Sequence, residues 1–529
     1  MAGSGIQHTA MVRPRLSGIL ARALLGTVAA LSTGAATGGL LEVVGKREDL
    51  TPWRDMPAAT VDAWLRKGIR FDSDDEALVS KFYYAKLVYL ANLLKDGTYS
   101  RPFLIEGGVY RGMWFESVPV TMQVFARIDL PAAKIQLREF VRLQMPDGYI
   151  PYKIIPSGPG ERSIGFGWIA FAVWHLHLLD GDRIFLEEMY APLGRWIAWL
   201  DRYRDSNRNG VHEAWSPGDV GHDNSARFKG LPLHVDNLRV APVGKATPYD
   251  APDVSGLVYL EMRSLAEIAE ILGKRAEADK WRESAEALRG RVNALLWDPA
   301  SASYYDRDSS GRFVKMLSDV LLRATYCGLP TDAMAREIFE RHILNPAEFW
   351  TACPLPSFAL NDPLATPDKP DTWSGPTFPL TNLRAPYGFL VYGRRAELRE
   401  LDRRYLAAVV RQPACFQQYH PTTGEGGAAK SVLLYSPGAS VVLDAIARLY
   451  GIVPRGKHLE WSSSLPDGAR RTRFEFDLDR RSYRLDCAPS GCDALLDGRR
   501  ISRARLGETT ATDFSGQKVP LDRVRDFPR

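Results

Sequence analysis

Residues 76–94 read EALVSKFYYAKLVYLANLL, and the spacing of their apolar side chains decides the predicted fold. The spacing of three and four residues places one face of a helix toward a core. That face carries Leu78, Val79, Phe82, Leu87, Tyr89, Leu90, Leu93 and Leu94. The same period returns at residues 257–272, 276–296, 333–342 and 441–450. We therefore predict a large all-α domain over residues 38–454.

Long polar loops separate these helical segments, most clearly at residues 215–253 and 361–379. Loops of that length inside a compact domain usually carry function. Many helices joined by elaborate loops indicate an α/α barrel, whose cleft lies among the loops at one end. Periodicity by itself supports only the broader all-α class.

The chain after Pro454 has a different pattern. Apolar side chains alternate in residues 473–478 and again in residues 482–487, with a turn between them. This period of two predicts a β-hairpin within a small C-terminal β-rich module, residues 455–529. We interpret the module as a packing appendage rather than a sugar-binding unit. The closely spaced Cys487 and Cys492 form a disulfide only if the protein is exported.

The composition excludes several classes of protein. The chain has 529 residues, of which 45% are hydrophobic and 25% are charged, as in soluble globular proteins. A disordered chain, a collagen and a disulfide-dense mini-protein are excluded. The 68 Lys and Arg exceed the 63 Asp and Glu by only five, and the two signs are interleaved. We therefore expect no nucleic-acid partner.

The N-terminal segment, residues 1–37, reads as a signal peptide. A basic start near Met11 is followed by a short apolar run and then by small residues. The run is too short to span a bilayer, so we predict an exported protein, periplasmic or secreted, without a stable membrane span. The alternatives are an alanine-rich extension or a true start at Met11.

Four loop segments combine aromatic, carboxylate, amide and guanidinium side chains, which is a set that suits a sugar. They are residues 112–117 (GMWFES), 144–151 (QMPDGYIP), 213–228 (EAWSPGDVGHDNSARF) and 373–384 (WSGPTFPLTNLR). Aromatic faces stack on the apolar faces of sugar rings, and sugar hydroxyls need paired donors and acceptors. A single such segment is weak evidence, since a buried Trp usually belongs to the core.

Taken together and in this order, the segments resemble the family 63 glycoside hydrolases and their mannosylglycerate-hydrolase-like relatives, with a more distant similarity to family 37 trehalases. The resemblance covers roughly residues 85–450. Its motifs are residues 144–151, 221–228 (GHDNSARF), 373–382 (WSGPTFPLTN) and 419–426 (YHPTTGEG). It implies an (α/α)6 barrel and hydrolysis of an α-glycosidic bond with inversion.

Inversion needs a protonated carboxyl and a second carboxylate that activates water. By resemblance, Asp223 is the general acid, with Asp219 or Glu213 as residues that could share its work. The family places its base where this chain has Gln417, and an amide cannot take a proton from water. Glu425 is our provisional base, and Glu116 is the other candidate.

The resemblance also implies residues that line the sugar subsite. They are Trp114, Glu116, Asp147, His222, Asn224, Arg227, Trp373, Asn382, Arg384, Gln417, Tyr419 and His420. We expect an oligosaccharide or polysaccharide substrate, no cofactor and no catalytic metal. Residues 205–213 resemble the start of a calcium loop, so a structural calcium ion stays an alternative.

Two other functions remain open. Gln417 at the base position favours a glycan-binding protein that has lost its catalysis. A polysaccharide lyase is the other alternative, because α/α barrels also host β-elimination, and Tyr419, His420 and Arg384 would then be its candidate residues.

Overall fold

The computed structural model describes residues 56–242, 247–427, 434–524 and 527–528. The predicted signal peptide, residues 1–37, lies outside them. Within the described part of the chain, no helix is both long and apolar enough to cross a membrane.

The chain from Ala58 to Tyr450 is rich in helices, which confirms the coarse prediction for this region. These helices are α1 (Ala58–Arg66), α2 (Glu76–Ala91), α3 (Val118–Arg142), α4 (Ile169–Asp180), α5 (Arg183–Tyr203), α6 (Pro217–Val220), α7 (Pro252–Ile271), α8 (Arg275–Leu295), α9 (Asp319–Tyr326), α10 (Asp332–Ile338), α11 (Pro379–Val391), α12 (Arg395–Val409) and α13 (Ser436–Tyr450).

Local sequence explains where several helices begin and bend. The Asp75 carboxylate accepts the backbone N–H of Leu78 at 3.1 Å and so caps the start of α2. Helix α3 is kinked at Asp129, whose φ and ψ are −145° and 82°, because Pro131 cannot continue the hydrogen-bond ladder. The Asp129 carboxylate accepts from Ala132 N at 3.1 Å and starts the second half.

Two kinds of helix are distinguished by burial. Helices α4, α7, α9, α11 and α13 are buried on nearly all sides. In contrast, α8 buries only the stripe Ala278, Ala285, Leu288 and Val292. Helices α3, α4, α7, α9, α11 and α13 each pack against the next in that order, and α13 packs back against α3.

The strands are short in the helical region and longer after it. They are β1 (Ile69–Ser73), β2 (Leu93–Leu94), β3 (Phe103–Leu104), β4 (Met113–Trp114), β5 (Lys153–Ile155), β6 (Gly158–Gly160), β7 (Glu213–Ala214), β8 (Tyr249–Asp250), β9 (Trp297–Asp298), β10 (Ser303–Tyr304), β11 (Asp306–Arg307), β12 (Phe313–Val314), β13 (Ile452–Arg455), β14 (His458–Ser462), β15 (Thr472–Leu478), β16 (Arg481–Ala488), β17 (Gly491–Leu496), β18 (Arg499–Ala504) and β19 (Thr509–Asp513).

The predicted C-terminal β-rich region is confirmed, and its hairpin is the pair β15–β16. Phe474 opposes Leu485, and both are buried, as the period of two requires. The sheet runs in the order β1–β15–β16–β17–β18, so one edge strand comes from the segment between α1 and α2. Cys487 and Cys492 lie directly opposite each other on β16 and β17 and are disulfide bonded.

Two small sheets pair strands that lie next to loops of the helical region. Strands β4, β5 and β6 form one of them, which places the segment after Trp114 beside α3. Strands β7, β8, β11 and β12 form the other and flank the loop that contains Asp223. The loops predicted to carry function are therefore anchored by backbone pairing.

Candidate active site

Hydrogen bonds join the loop around Asp223 to the loop before α11. The backbone N–H of Trp373 donates to Asp223 O at 3.2 Å, and Ser225 Oγ donates to Trp373 O at 2.9 Å. Three more link the same loops: Ala226 N to Ser374 Oγ at 2.7 Å, Thr372 Oγ1 to Asn224 O at 2.8 Å and Asn224 Nδ2 to Asp371 O at 2.9 Å. Two motifs that are far apart in the sequence thus form one surface.

The Asp223 carboxyl lies at this junction. It is largely buried, and among the described residues it has no hydrogen-bond or ion-pair partner. Burial raises its pKa, and the negative charge of Asp371 raises it further. A carboxyl whose pKa is raised and that has no partner among the described residues is a candidate to donate a proton to a ligand.

Arg227 stabilises the loop that contains Asp223 through buried ion pairs. Its guanidinium donates to Asp306 through Nε and Nη2, both at 2.7 Å, and to Asp253 through Nη1 and Nη2 at 2.7 and 2.9 Å. Nη1 also donates to His222 Nδ1 at 3.2 Å. All five N–H groups are therefore engaged by protein groups, which hold this loop. The sugar-binding role of Arg227 stays a prediction.

His222 is buried beneath the surface formed by the two loops. Since its Nδ1 accepts from Arg227, its proton lies on Nε2, which is 3.1 Å from Asp319 Oδ1. Burial and the positive charge of Arg323 lower the pKa of His222 to about 4. The neutral ring packs 5.3 Å from the ring of Trp373 and so supports it.

Glu116 contacts the Asp223 loop through a glycine. Gly221 has φ of +68°, and a Cβ there would lie 1.7 Å from Glu116 Oε2, so only glycine allows this approach. Arg323 Nη2 and Arg384 Nη1 lie 3.5 and 3.7 Å from Glu116 Oε1. Burial raises the pKa of Glu116, although both guanidinium groups oppose the rise.

Glu106 is a buried carboxyl of this site that the sequence analysis missed. Its Oε1 accepts from Tyr435 OH at 2.9 Å, and its Oε2 accepts from Ser117 Oγ at 3.1 Å. Burial raises the pKa of Glu106 to about 8, with Glu116 and Asp223 adding to the rise. Its only sequence signal is a Glu before two glycines, just upstream of the segment that carries Trp114.

Two aromatic groups provide flat apolar faces. Trp373 stacks on Phe378 with ring centroids 3.6 Å apart and planes within 7°. Trp114 meets Tyr110 edge to face, with centroids 5.4 Å apart. Trp114 is partly exposed, whereas Trp373 is buried between Phe378 and His222. The stacking of either ring on a sugar stays a prediction.

The element after α12 brings Gln417 close to Tyr110. Gln417 Nε2 donates to Tyr110 OH at 3.5 Å. Burial raises the pKa of Tyr110, and the charges of Glu106, Asp223 and Asp371 add to the rise although the bond from Gln417 opposes it. The position where the family carries its base thus lies near the same carboxyls.

The other predicted residues on this element differ in exposure. Tyr419 is buried, and its hydroxyl accepts from Phe416 N at 3.0 Å. His420 accepts at Nδ1 from Thr422 N and Thr423 N, at 3.2 and 3.1 Å. Glu425 is exposed, and its carboxylate has no partner among the described residues.

Several polar side chains near the site make protein contacts instead. Asp219 accepts from Ile164 N and Trp215 N, at 3.1 and 2.9 Å, and Glu213 accepts from Trp215 Nε1 at 2.8 Å. Both are buried, and Asp219 holds backbone N–H groups while Glu213 holds the Trp215 side chain. Their share in the acid's work stays a prediction.

Three of the predicted binding residues are also held by protein groups. Asp147 accepts from Trp199 Nε1 at 3.0 Å and pairs with Arg239. Asn382 Nδ2 donates to Pro354 O at 3.0 Å. Arg384 Nη2 donates to the backbone oxygen of Glu116 at 2.6 Å, so its guanidinium lies next to Glu116.

The loop that resembles a calcium site is closed by its own hydrogen bonds. Asp205 Oδ2 accepts from Gly210 N at 3.1 Å, Asn207 Oδ1 from Asn209 N at 3.1 Å and Asn209 Oδ1 from Val211 N at 3.0 Å. No group of three or more His, Cys, Asp or Glu in the described ranges is arranged to hold a metal ion. The structural calcium ion stays a prediction.

Comparisons with known proteins support the motifs. Residues 110–436 match the family model of the mannosylglycerate hydrolase MGH1-like glycoside hydrolase domain. An uncharacterized protein of Borreliella burgdorferi is 22% identical over 275 residues, which are 51% of this chain and 53% of that protein. The chain therefore spans about half the length of the curated relative that it matches.

Solved structures share the fold at low identity. The GH63 mannosylglycerate hydrolase from Thermus thermophilus in complex with glucose matches with a TM-score of 0.56 and 19% identity, over 69% of this chain and 99% of that one. The neutral trehalase of Saccharomyces cerevisiae matches with a TM-score of 0.53 and 11% identity, over 69% and 80% of the two chains.

Proposed function

The chain belongs to the family of MGH1-like glycoside hydrolases, as its resemblance to family 63 predicted, and from this premise we propose that it is a glycosidase. It cleaves an α-linked glycosidic bond of an oligosaccharide or polysaccharide, with inversion at the anomeric carbon. The observation that carries the proposal is the Asp223 carboxyl, whose pKa is raised and which has no protein partner among the described residues.

In the proposed reaction Asp223 donates its proton to the glycosidic oxygen as the bond to the anomeric carbon breaks. A water molecule attacks that carbon from the opposite face and passes a proton to a second carboxylate. Glu425 is the candidate base from the sequence, and its side chain is exposed, with no partner for its carboxylate among the described residues.

We propose that the helices form an (α/α)6 barrel. The closed succession of contacts from α3 through α4, α7, α9, α11 and α13 back to α3 supports an inner ring of six helices. The loops that carry Asp223, Trp373 and Gln417 then surround the cleft at one end of the ring.

The donor sugar is proposed to lie between two aromatic faces. Trp373, held by Phe378 and His222, would form its floor, and Trp114 would form one wall. Glu116, Asn224 and His420 would bind hydroxyls at the rim. Export to the periplasm or outside the cell is proposed from the order of basic, apolar and small residues in segment 1–37.

Asp223→Asn tests the proposal. The full-length wild type and the variant are incubated with α-linked gluco-, manno- and arabino-oligosaccharides, and the first anomer released is read by NMR. We expect the β-anomer from the wild type and a loss of about 100-fold or more in kcat for the variant. Asp236→Asn, the same change at an exposed position of the following loop, should keep wild-type rates.

A glycan-binding protein without turnover is the second candidate, and Gln417 at the family's base position favours it. It predicts binding measurable by calorimetry, no product from the wild type and no effect of Asp223→Asn on either. A product that absorbs in the ultraviolet as an unsaturated uronate would indicate a lyase and would also contradict the glycosidase.

A further inference from the structure

We propose that Asp371 supplies the second carboxylate of this site and acts as the general base that Gln417 cannot be. The inference rests on the proposed glycosidase function and deepens it. The sequence analysis did not single out Asp371, because it lies two residues before the Trp373 motif in a loop rich in Pro and Asp.

The backbone of Asp371 joins the loop that carries Asp223 to the element that carries Gln417. Its carbonyl oxygen accepts from Asn224 Nδ2 at 2.9 Å, one residue after the acid Asp223. Its N–H donates to Gln418 Oε1 at 3.1 Å, one residue after the family's base position. Asp371 is thus fixed beside both the acid and Gln417.

The conformation of Asp371 is a strained one. Its φ is +58°, in the left-handed region, and Asn224 across the hydrogen bond has φ of +56°. Asn and Asp tolerate this region better than other residues with a Cβ, but it still costs free energy. Strained backbone of this kind clusters at active sites, where the surrounding contacts impose it.

The Asp371 carboxylate is available to a ligand. It is partly exposed, and it has no hydrogen bond or ion pair to any residue in the described ranges. Its charge reaches Asp223 and also Tyr110, the partner of Gln417. Two carboxyls without protein partners among the described residues are therefore carried by loops that hydrogen bonds join, and the charge of one acts on the other.

The other carboxyls of the site are less suitable as the base. Both oxygens of Glu106 accept hydrogen bonds, and burial raises the pKa of Glu106 to about 8, so it holds a proton near neutral pH. Glu116 lies against Gly221 and two arginines. Glu425 is exposed and makes no contact with the acid loop among the described residues.

The proposed step is balanced. One O–H bond of water breaks, its proton goes to a carboxylate oxygen of Asp371, and the water oxygen forms a bond to the anomeric carbon. The bond from that carbon to the glycosidic oxygen breaks at the same time, and this oxygen takes the proton of Asp223. Water, glycoside and the two carboxyl groups are the only reactants.

Asp371→Asn tests this role, since Asn keeps the shape of the side chain and tolerates the left-handed backbone. The substrates are the oligosaccharide that the wild type cleaves fastest and the α-fluoride of the same sugar, with and without sodium azide. Asp236→Asn is measured in parallel as the carboxyl-to-amide control, and Glu425→Gln is measured as the variant of the rival base. Circular dichroism and Tm report folding.

We expect kcat for Asp371→Asn to fall by about 100- to 10,000-fold while KM changes by less than about threefold. Azide needs no base, so it should restore turnover of the fluoride and yield the β-glycosyl azide. A residue that only positions the loop would not be rescued in this way.

Three results would overturn the inference. The first is an Asp371→Asn variant that keeps wild-type kcat, and the second is a folded, inactive variant that azide does not rescue. The third is a slow Glu425→Gln variant that azide rescues, because it would make Glu425 the base. If the wild type itself hydrolyses none of the panel, or if Asp223→Asn keeps full activity, then the glycosidase proposal fails first and this inference fails with it.

Discussion

Replacement of Arg227 by Met should destabilise the protein strongly without acting through substrate affinity. Arg227 donates four hydrogen bonds of 2.7–2.9 Å to the buried carboxylates of Asp253 and Asp306. Removing one partner of a buried ion pair costs about 3–5 kcal/mol, because the other charge stays desolvated.

Two carboxylates lose their partner in this variant, but their costs do not add. Burial already raises the pKa of Asp306, and Asp253 adds to that rise, so Asp306 would take up a proton once the guanidinium is gone. We therefore expect a loss of about 3–5 kcal/mol in total, a large part of the roughly 5–15 kcal/mol that stabilises a folded protein.

The assay is equilibrium unfolding in urea, read by tryptophan fluorescence, together with kcat and KM below the unfolding transition. Arg282→Met is the matched control, because Arg282 pairs on the surface with Asp279 and Glu270 at 3.0 and 3.3 Å and should change stability by less than about 1 kcal/mol. An Arg227→Met variant of wild-type stability and higher KM would refute the reasoning and make Arg227 a sugar ligand.

Two further predictions concern Glu106 and Trp373. Because the folded state raises the pKa of Glu106 from 4.5 to about 8, its stabilising contribution is complete below pH 4.5 and is lost as the pH rises through 8. Glu106→Gln should therefore lose less Tm than the wild type between pH 5 and pH 9, and an equal loss would mean that Glu106 is not the titrating group. Trp373→Ala removes the ring stacked on Phe378 and should raise KM by about tenfold with a loss of roughly 3 kcal/mol or more in stability. An unchanged KM in Trp373→Ala would exclude a sugar from the face of the Trp373 ring. Trp114→Ala is the comparison at the proposed wall of the sugar subsite.

Elements with a regular period were predictable from the sequence. The apolar pattern of residues 76–94 predicted α2, and the alternation after Arg473 predicted the β15–β16 hairpin. Strand β1 was not predicted as part of that sheet. It is five residues long and pairs with β15, from which it is separated by about 400 positions of sequence, and no local pattern reports such a partner.

The candidate site was also predictable only in part, because no local pattern reports partners that are distant in the sequence. The ordered motifs located the loops of Asp223 and Trp373, but the hydrogen bonds between them join residues 148 positions apart. Arg227 was read as a sugar ligand because its partners Asp253 and Asp306 lie in other elements. Glu106 and Asp371 belong to no motif. Burial and neighbouring charges distinguish Glu106, and a left-handed backbone with hydrogen bonds to Asn224 and Gln418 distinguishes Asp371.

The central claim is that Asp223 is the general acid. It is tested most directly by how the loss of rate in Asp223→Asn depends on the leaving group. An α-glycosyl fluoride needs little help from an acid, whereas the oxygen of an oligosaccharide needs a proton. If Asp223 is the general acid, kcat/KM should fall by about 100-fold or more on the oligosaccharide and by less than about tenfold on the fluoride. Equal losses on both substrates, or no loss on either, would contradict the assignment.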